Sequence, residues 1–272
     1  MLKKILNKFL KKSNKGQEVQ VEPEKILYQS SNRLKGKNAI IIGGGKGIGK
    51  AIATRFAEEG AKIIINSRSK TDLENVKKEI QNNKGECSCF VGDITDLKII
   101  QNLFLESKSK LGKLDILINC AGTVDFGSIE SFPLNKFEKI MDLNVKSVFS
   151  CIQEAIKMMK SDGDEGKIIT IGSIASKWTG RGGDGSYSAS KYAVYGMIES
   201  IARQLHGSGS NIAVGLICPG VVDTTLTNPS KDQKSNWMRP TTIADSVLHM
   251  VTAPKNVNIF DLTIFGMDEK PW

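Results

Sequence analysis

Ala39-Ile40-Ile41-Ile42-Gly43-Gly44-Gly45-Lys46-Gly47-Ile48-Gly49 is the stretch that decides the fold. Consecutive isoleucines suit an extended backbone, and a run without polar alternation reads as a strand buried on both faces. A glycine cluster follows at once, and apolar residues then recur at helical spacing from Ile48 to Glu59. Glycine permits a tight turn and lets a backbone approach a pyrophosphate, whose charge the amino terminus of the helix favours. The spacing is Gly-x-x-x-Gly-x-Gly rather than Gly-x-Gly-x-x-Gly. A glycine cluster alone also describes a flexible turn; the strand before it and the helix after it favour a dinucleotide site.

Outward from this turn, short β-rich runs alternate with helical patterns. Strands are expected at Lys62 to Asn66, Cys87 to Val91, Asp115 to Ile118, Lys167 to Ile171, Ile212 to Ile217 and Asp261 to Phe265. Long helical patterns fill the intervals, notably Leu134 to Lys160 and Ser186 to Leu205. This alternation predicts an α/β protein of the Rossmann type, with a doubly wound parallel sheet in a single domain over residues 34–272. Ligands then bind at the carboxyl edge of the sheet.

The net charge of +9 suggests nucleic acid until it is mapped. Residues 1–37 hold ten Lys or Arg against three Glu, which leaves the remainder nearly neutral and without the charge of a nucleic-acid-binding surface. Within the arm, Leu2, Ile5, Leu6, Phe9 and Leu10 recur at helical spacing among lysines. Such a basic amphipathic segment (residues 1–12) lies on an anionic membrane surface, docks on a neighbouring subunit or stays largely unfolded. Residues 13–33 read as a linker. No apolar run approaches the ~20 residues needed to span a bilayer. Five scattered cysteines and two histidines (His206, His249) lack metal-ligand spacing, so no metal site and a reducing cytoplasm are expected.

Two further stretches carry chemistry. The second strand ends in Asn66-Ser67-Arg68-Ser69, where an acidic residue would bind the ribose hydroxyls of NAD. Arg68, with Lys46 from the glycine turn, offers positive charge for a 2′-phosphate, so NADP(H) is expected over NAD(H). Tyr187 and Lys191 stand four residues apart in a helical pattern, which puts a phenol and an ammonium on one face. A cation beside a phenol favours its ionised form and equips it for proton transfer, and Ser173 upstream can donate to the same substrate oxygen.

From about Leu34 onward the chain resembles the short-chain dehydrogenase/reductase family. The resemblance rests on Gly43-Gly44-Gly45-Lys46-Gly47-Ile48-Gly49, Gly92-Asp93-Ile94, Asn119-Cys120-Ala121-Gly122, Leu143-Asn144-Val145, Ser173, Tyr187, Lys191 and Pro219-Gly220-Val221-Val222-Asp223-Thr224, in that order. It implies an NADP(H)-dependent oxidoreductase that interconverts a carbonyl and a secondary alcohol. Tyr187 is then the acid/base, Lys191 its partner and the holder of the nicotinamide ribose, Ser173 the polarising donor, and Asn144 the residue that positions a water beside Lys191. Cofactor contacts are implied for Gly43, Gly45, Lys46, Gly47, Ile48, Gly49, Ser67, Arg68, Asp93, Asn119, Ala121, Gly122, Tyr187, Lys191, Pro219, Gly220, Val222 and Thr224. The family pattern departs at Ile42, which replaces a threonine, and at Cys120, which replaces an asparagine. The alternative is a non-catalytic NADP-binding sensor or scaffold on the same fold.

Substrate choice is assigned to residues 175–186, 122–132 and 225–237. There Trp178 and Trp237 read as apolar walls or ordinary loop residues, and Arg181, Lys231 and Lys234 as contacts for an anionic group or ordinary loop charges. The resemblance also implies a homodimer or homotetramer joined through the two long helices.

Overall fold

The computed structural model describes residues 32–179, 185–227, 237–267 and 269. The amphipathic arm, and Arg181, Lys231 and Lys234, lie outside the described residues. Seven parallel strands form one sheet: β1 Asn38–Ile42, β2 Lys62–Ser67, β3 Glu86–Val91, β4 Ile116–Asn119, β5 Glu165–Ile171, β6 Asn211–Pro219 and β7 Asp261–Ile264. Their order is β3-β2-β1-β4-β5-β6-β7. The chain winds outward from β1 to β3, crosses back to β4, and winds the other way to β7. The switch point between β1 and β4 is the expected binding crevice of such a sheet.

Alternate residues of each strand feed two separate cores. Ala39, Ile41, Ile63, Ile65, Ile116 and Ile118 pack on one face against Ile52 and Phe56 of helix α1 (Gly47–Glu58), helix α2 (Lys70–Asn82) and helix α7 (Pro240–Val251). Ile40, Ile42, Ile64 and Leu117 pack on the other face against helices α3 (Leu97–Leu111), α5 (Ser147–Ser161) and α6 (Gly185–Gly207). This explains the uninterrupted isoleucine runs: with helices on both sides, the isoleucines of β1 and β2 are buried on both faces.

The stretch from Leu134 to Lys160, expected as one helix, is divided. Helix α4 (Leu134–Met141) and α5 are joined by a π-helical turn, Asp142–Lys146, whose centre is Asn144. Apolar periodicity cannot register one residue of local widening, because both flanking helices keep their own buried stripes.

At the amino edge of the sheet, Asp115 fixes the neighbouring starts of β1 and β4. Its carboxylate accepts the Asn38 amide at 2.9 Å and Lys37 Nζ at 3.1 Å, and pairs with Lys113 Nζ at 2.8 Å. Burial pushes this carboxyl group up, but the hydrogen bonds from Lys113, Asn38 and Lys37 outweigh it and leave it below its ordinary value. Among the described residues no helix is long and apolar enough to cross a membrane.

A group depressed in the folded state stabilises the fold above its ordinary pKa, and that contribution fades as pH falls through the depressed value. Asp115→Asn should therefore lower unfolding stability at pH 7 by about 1–2 kcal/mol, the scale of a buried carboxylate losing partly exposed donors. The gap between variant and parent should narrow in acid. Urea melts across pH 2.5–7 read this, and a gap independent of pH would contradict the role given to the carboxylate.

Candidate functional site

Above the carboxyl edge lies a cavity of about 700 Å³ that gathers the turns following β1, β2, β3, β4, β5 and β6. Its floor is the glycine turn. Gly43 has φ +80°, and a Cβ built on it would stand 2.7 Å from the Ala121 amide nitrogen. A Cβ on Gly49 would stand 2.2 Å from the Gly43 carbonyl oxygen. Neither position accepts a side chain, so the turn packs closely on the β4 loop and on the start of its own helix. The Gly43 and Gly44 amides both donate to the Asn66 carbonyl at 2.9 Å, which ties the turn to the end of β2.

At one end of the cavity stand Lys46, Ser67, Arg68, Asp72 and Asp93. Arg68 is 76% exposed and reaches Asp93 at only 3.7 Å, so its charge is loosely held. Burial raises the Asp93 carboxyl group, but hydrogen bonds from the Thr95 amide and hydroxyl, with the charge of Arg68, bring it below its ordinary value. Asn66, 1% exposed, donates from its side-chain amide to the carbonyls of Phe90 at 3.1 Å and Gly92 at 3.2 Å. One residue therefore joins the turns after β1, β2 and β3.

At the other end, Tyr187 and Lys191 share a face of α6, as their spacing predicts, and Lys191 Nζ sits 5.6 Å from the centre of the Tyr187 ring. Lys191 is buried and donates to the Ile171 carbonyl at 3.0 Å, which fastens it to the end of β5. Ser173 follows that strand and caps the short 3-10 turn Ile174–Ser176, its Oγ accepting the Ala175 amide at 3.1 Å. The capping bond uses an acceptor lone pair and leaves the hydroxyl proton to donate. The turn is anchored from outside by Lys177, whose Nζ meets Asp261 Oδ2 at 2.6 Å and Thr263 Oγ1 at 2.7 Å on β7.

Asn144 stands behind this end, 2% exposed. Its Oδ1 accepts the Thr123 amide at 2.9 Å, and its Nδ2 donates to the Thr123 carbonyl at 2.9 Å and to Ser190 Oγ at 3.0 Å. Asn144 Oδ1 and Lys191 Nζ both lie within 4 Å of the point where a Gly122 side chain would begin.

Of the residues singled out in the sequence, Gly43, Gly45, Lys46, Gly47, Ile48, Ser67, Arg68, Asp93, Ala121, Gly122, Ser173, Tyr187, Lys191, Pro219, Gly220, Val222 and Thr224 line the one cavity. Gly49, Asn119 and Asn144 do not. Gly49 packs under the turn, and Asn119 donates to Thr170 Oγ1 at 3.4 Å between β4 and β5. Trp178 and Trp237 are also absent from the lining. Sequence reasoning missed Asn66 as a hub, Asp72 as a lining charge and Lys177 as an anchor. Glu269 was missed too: its carboxylate accepts the Val221 amide at 3.0 Å beside Gly220. The lining signal for Asp72 was its place in the first turn after Ser69, whose hydroxyl caps α2 by accepting the Asp72 amide.

Known proteins resemble this chain in sequence and fold. The family model for short chain dehydrogenase matches residues 37–235. An uncharacterised oxidoreductase of Staphylococcus aureus (strain USA300) is 32% identical over 234 residues, 85% of this chain and 97% of that protein. Another from Staphylococcus saprophyticus is 30% identical over 232 residues, with the same coverages. The crystal structure of a dehydrogenase/reductase from Sinorhizobium meliloti 1021 matches with a TM-score of 0.79 at 32% identity, covering 87% of this chain and 96% of that one. A short chain dehydrogenase from Burkholderia cenocepacia J2315, solved in complex with NADP, matches with a TM-score of 0.77 at 29% identity, covering 86% and 98%.

Removing the Asn144 side chain takes away the partners of the part-buried Thr123 amide and carbonyl, while Ser190 Oγ keeps its bond to the Tyr187 carbonyl at 2.7 Å. Asn144→Ala should cost about 1–3 kcal/mol of stability, the scale of backbone groups left unpaired away from bulk water. Equilibrium unfolding in urea checks this, and a loss below about 1 kcal/mol would show that the Thr123 backbone finds other partners.

Proposed function

The chain belongs to the short-chain dehydrogenase family and is an oxidoreductase, and from that premise we propose that it interconverts a carbonyl and a secondary alcohol with NADP(H), using Tyr187 as acid and base. The observation that carries the reading is the convergence of Ser173, Tyr187 and Lys191 on the same cavity as the glycine turn and Arg68. The cavity fits the cofactor: Gly43, Gly45 and Gly47 line it as a turn without side chains, which suits a pyrophosphate, and Lys46 and Arg68 at one end suit a 2′-phosphate. The NADP in the Burkholderia cenocepacia neighbour supports the choice.

Gly43 to Gly49 would hold the pyrophosphate, Lys46, Ser67 and Arg68 the phosphorylated ribose, Asp93 the adenine side, and Lys191 with residues 219–224 the nicotinamide side. When bound, the nicotinamide supplies or accepts a hydride. In reduction the Tyr187 phenol gives its proton to the substrate oxygen, and in oxidation it takes that proton back. The Lys191 ammonium, 5.6 Å from the ring centre, compensates the negative charge developing on the phenol oxygen. Ser173 donates its remaining proton to the same substrate oxygen, held in place by the Ala175 amide. Asn144 is the group we assign to position a water beside Lys191, in the space that Gly122 leaves open.

Two variants test the reading. Tyr187→Phe should reduce turnover by roughly 10²–10⁴-fold, the range for a lost general acid/base. NADPH binding, followed by its fluorescence, should be retained; undiminished turnover on the substrates the parent accepts would remove Tyr187 from the chemistry. Across a panel of ketoacyl esters, sugar ketones, steroids and quinones, tight NADPH binding without any turnover would favour a non-catalytic sensor. Arg68→Ala should raise the KM for NADPH about tenfold, equivalent to one modest charge-assisted hydrogen bond. The KM for NADH should stay within about twofold, and equal effects on both cofactors would remove the phosphate assignment.

A further inference from the structure

The end of the cavity opposite Tyr187 holds two cations and two carboxylates, arranged as two pairs. Lys46 Nζ meets Asp72 Oδ2 at 3.1 Å, and Arg68 meets Asp93 Oδ2 at 3.7 Å. All four residues line the cavity. Each carboxylate has a second hold besides its cation, and for Asp72 it is a hydrogen bond from the Ser69 hydroxyl. Asp93 is held by the amide and hydroxyl of Thr95, independently of Arg68. Asp72 lies against the glycine turn: a Cβ on Gly45 would stand 3.3 Å from Asp72 Cβ and 2.9 Å from Ser67 Oγ. Its side chain is 23% exposed, against 59% for Lys46, so the carboxylate is the better-fixed member of the pair. A fixed negative charge therefore stands in the patch that a 2′-phosphate has to enter, and it holds one of the two cations available there.

We propose that Asp72 is a specificity-determining residue whose carboxylate restrains the preference for the 2′-phosphorylated cofactor and keeps the unphosphorylated one usable. This rests on the assignment of Lys46 and Arg68 to the 2′-phosphate. A phosphate monoester carries close to two negative charges near neutrality; Lys46 and Arg68 attract it and Asp72 repels it. A ribose with a free 2′-hydroxyl is a hydrogen-bond donor, which a carboxylate accepts. Asp72 therefore acts in opposite directions on the two cofactors, whereas Arg68 and Lys46 act chiefly on one. Within the glycine turn this charge meets only Lys46, and Tyr187 lies at the other end of the cavity, so the effect falls on cofactor choice.

The test is calorimetric titration of the full chain with 2′,5′-ADP and with 5′-AMP, which differ by the 2′-phosphate alone, in the parent and in Asp72→Asn. Asparagine keeps the shape and removes the charge. The variant should bind 2′,5′-ADP about fivefold tighter, the scale of one partly exposed charge interaction, and 5′-AMP no tighter. In a Lys46→Met background the gain should shrink, since part of it comes from releasing Lys46. An unchanged or reduced ratio of the two dissociation constants in Asp72→Asn overturns the proposal. A parent that binds 5′-AMP as tightly as 2′,5′-ADP overturns the phosphate assignment instead, and the two failures are read from different proteins.

Discussion

Between Gly43 and Ala121 there is no room for a side chain, and most of the site follows from that approach. The turns after β1 and β4 meet there because the two strands are adjacent and paired in register, Ile42 opposite Asn119. Any Cβ on Gly43 would force the turns apart, and φ +80° excludes other residues on conformational grounds as well. With the turns in contact, the β1 turn presents its backbone upward, and β4 delivers Gly122 and Thr123 directly beside it. At the opposite edge Asp115 fixes the same two strands at their starts. The alignment that creates the crevice is thus held at both ends.

The Tyr187 end of the cavity is built on a second, buried layer. Lys191 is fastened to β5 through the Ile171 carbonyl, and Ser190, its neighbour, joins α6 to Asn144. Asn144 in turn grips both backbone groups of Thr123. This chain of bonds links β5, α6, the π turn and the β4 loop through side chains with almost no exposure. Inside a protein such bonds are strong when every group is satisfied and costly when one is missing. The π turn is what brings Asn144 into this layer, since the amide has to face Thr123 while α4 and α5 keep their own apolar faces on the core.

The legibility of the sequence follows the same division. Both-faced isoleucine runs identified β1 and β2, and the order of glycine turn, Ser173, Tyr187 and Lys191 placed the main lining residues, because those signals are local in sequence. Asn66 was read only as a non-acidic residue ending β2; its role as a hub depends on the carbonyls of Phe90 and Gly92, more than twenty residues away. Lys177 resembled any loop lysine until β7 supplied Asp261 and Thr263. The π turn left no mark on periodicity. The tryptophans offered as substrate walls stand outside the cavity lining, since aromatic content in a loop does not say which way the loop faces.

The two ends of the cavity are also built to different electrostatic standards, and this has a consequence for how the site can change. Lys191 is buried and held by backbone, so altering its surroundings disturbs a satisfied polar layer and the fold with it. Lys46 and Arg68 are exposed and paired with carboxylates, at 3.1 Å and 3.7 Å, whose own contacts are short-range, from Ser69 and Thr95. Exposed charges interact weakly and are screened, so each substitution there shifts binding by a small factor and leaves the core intact. The Lys46 and Arg68 end is consequently adjustable in steps, while the Tyr187 and Lys191 end is constrained by burial to change as a unit.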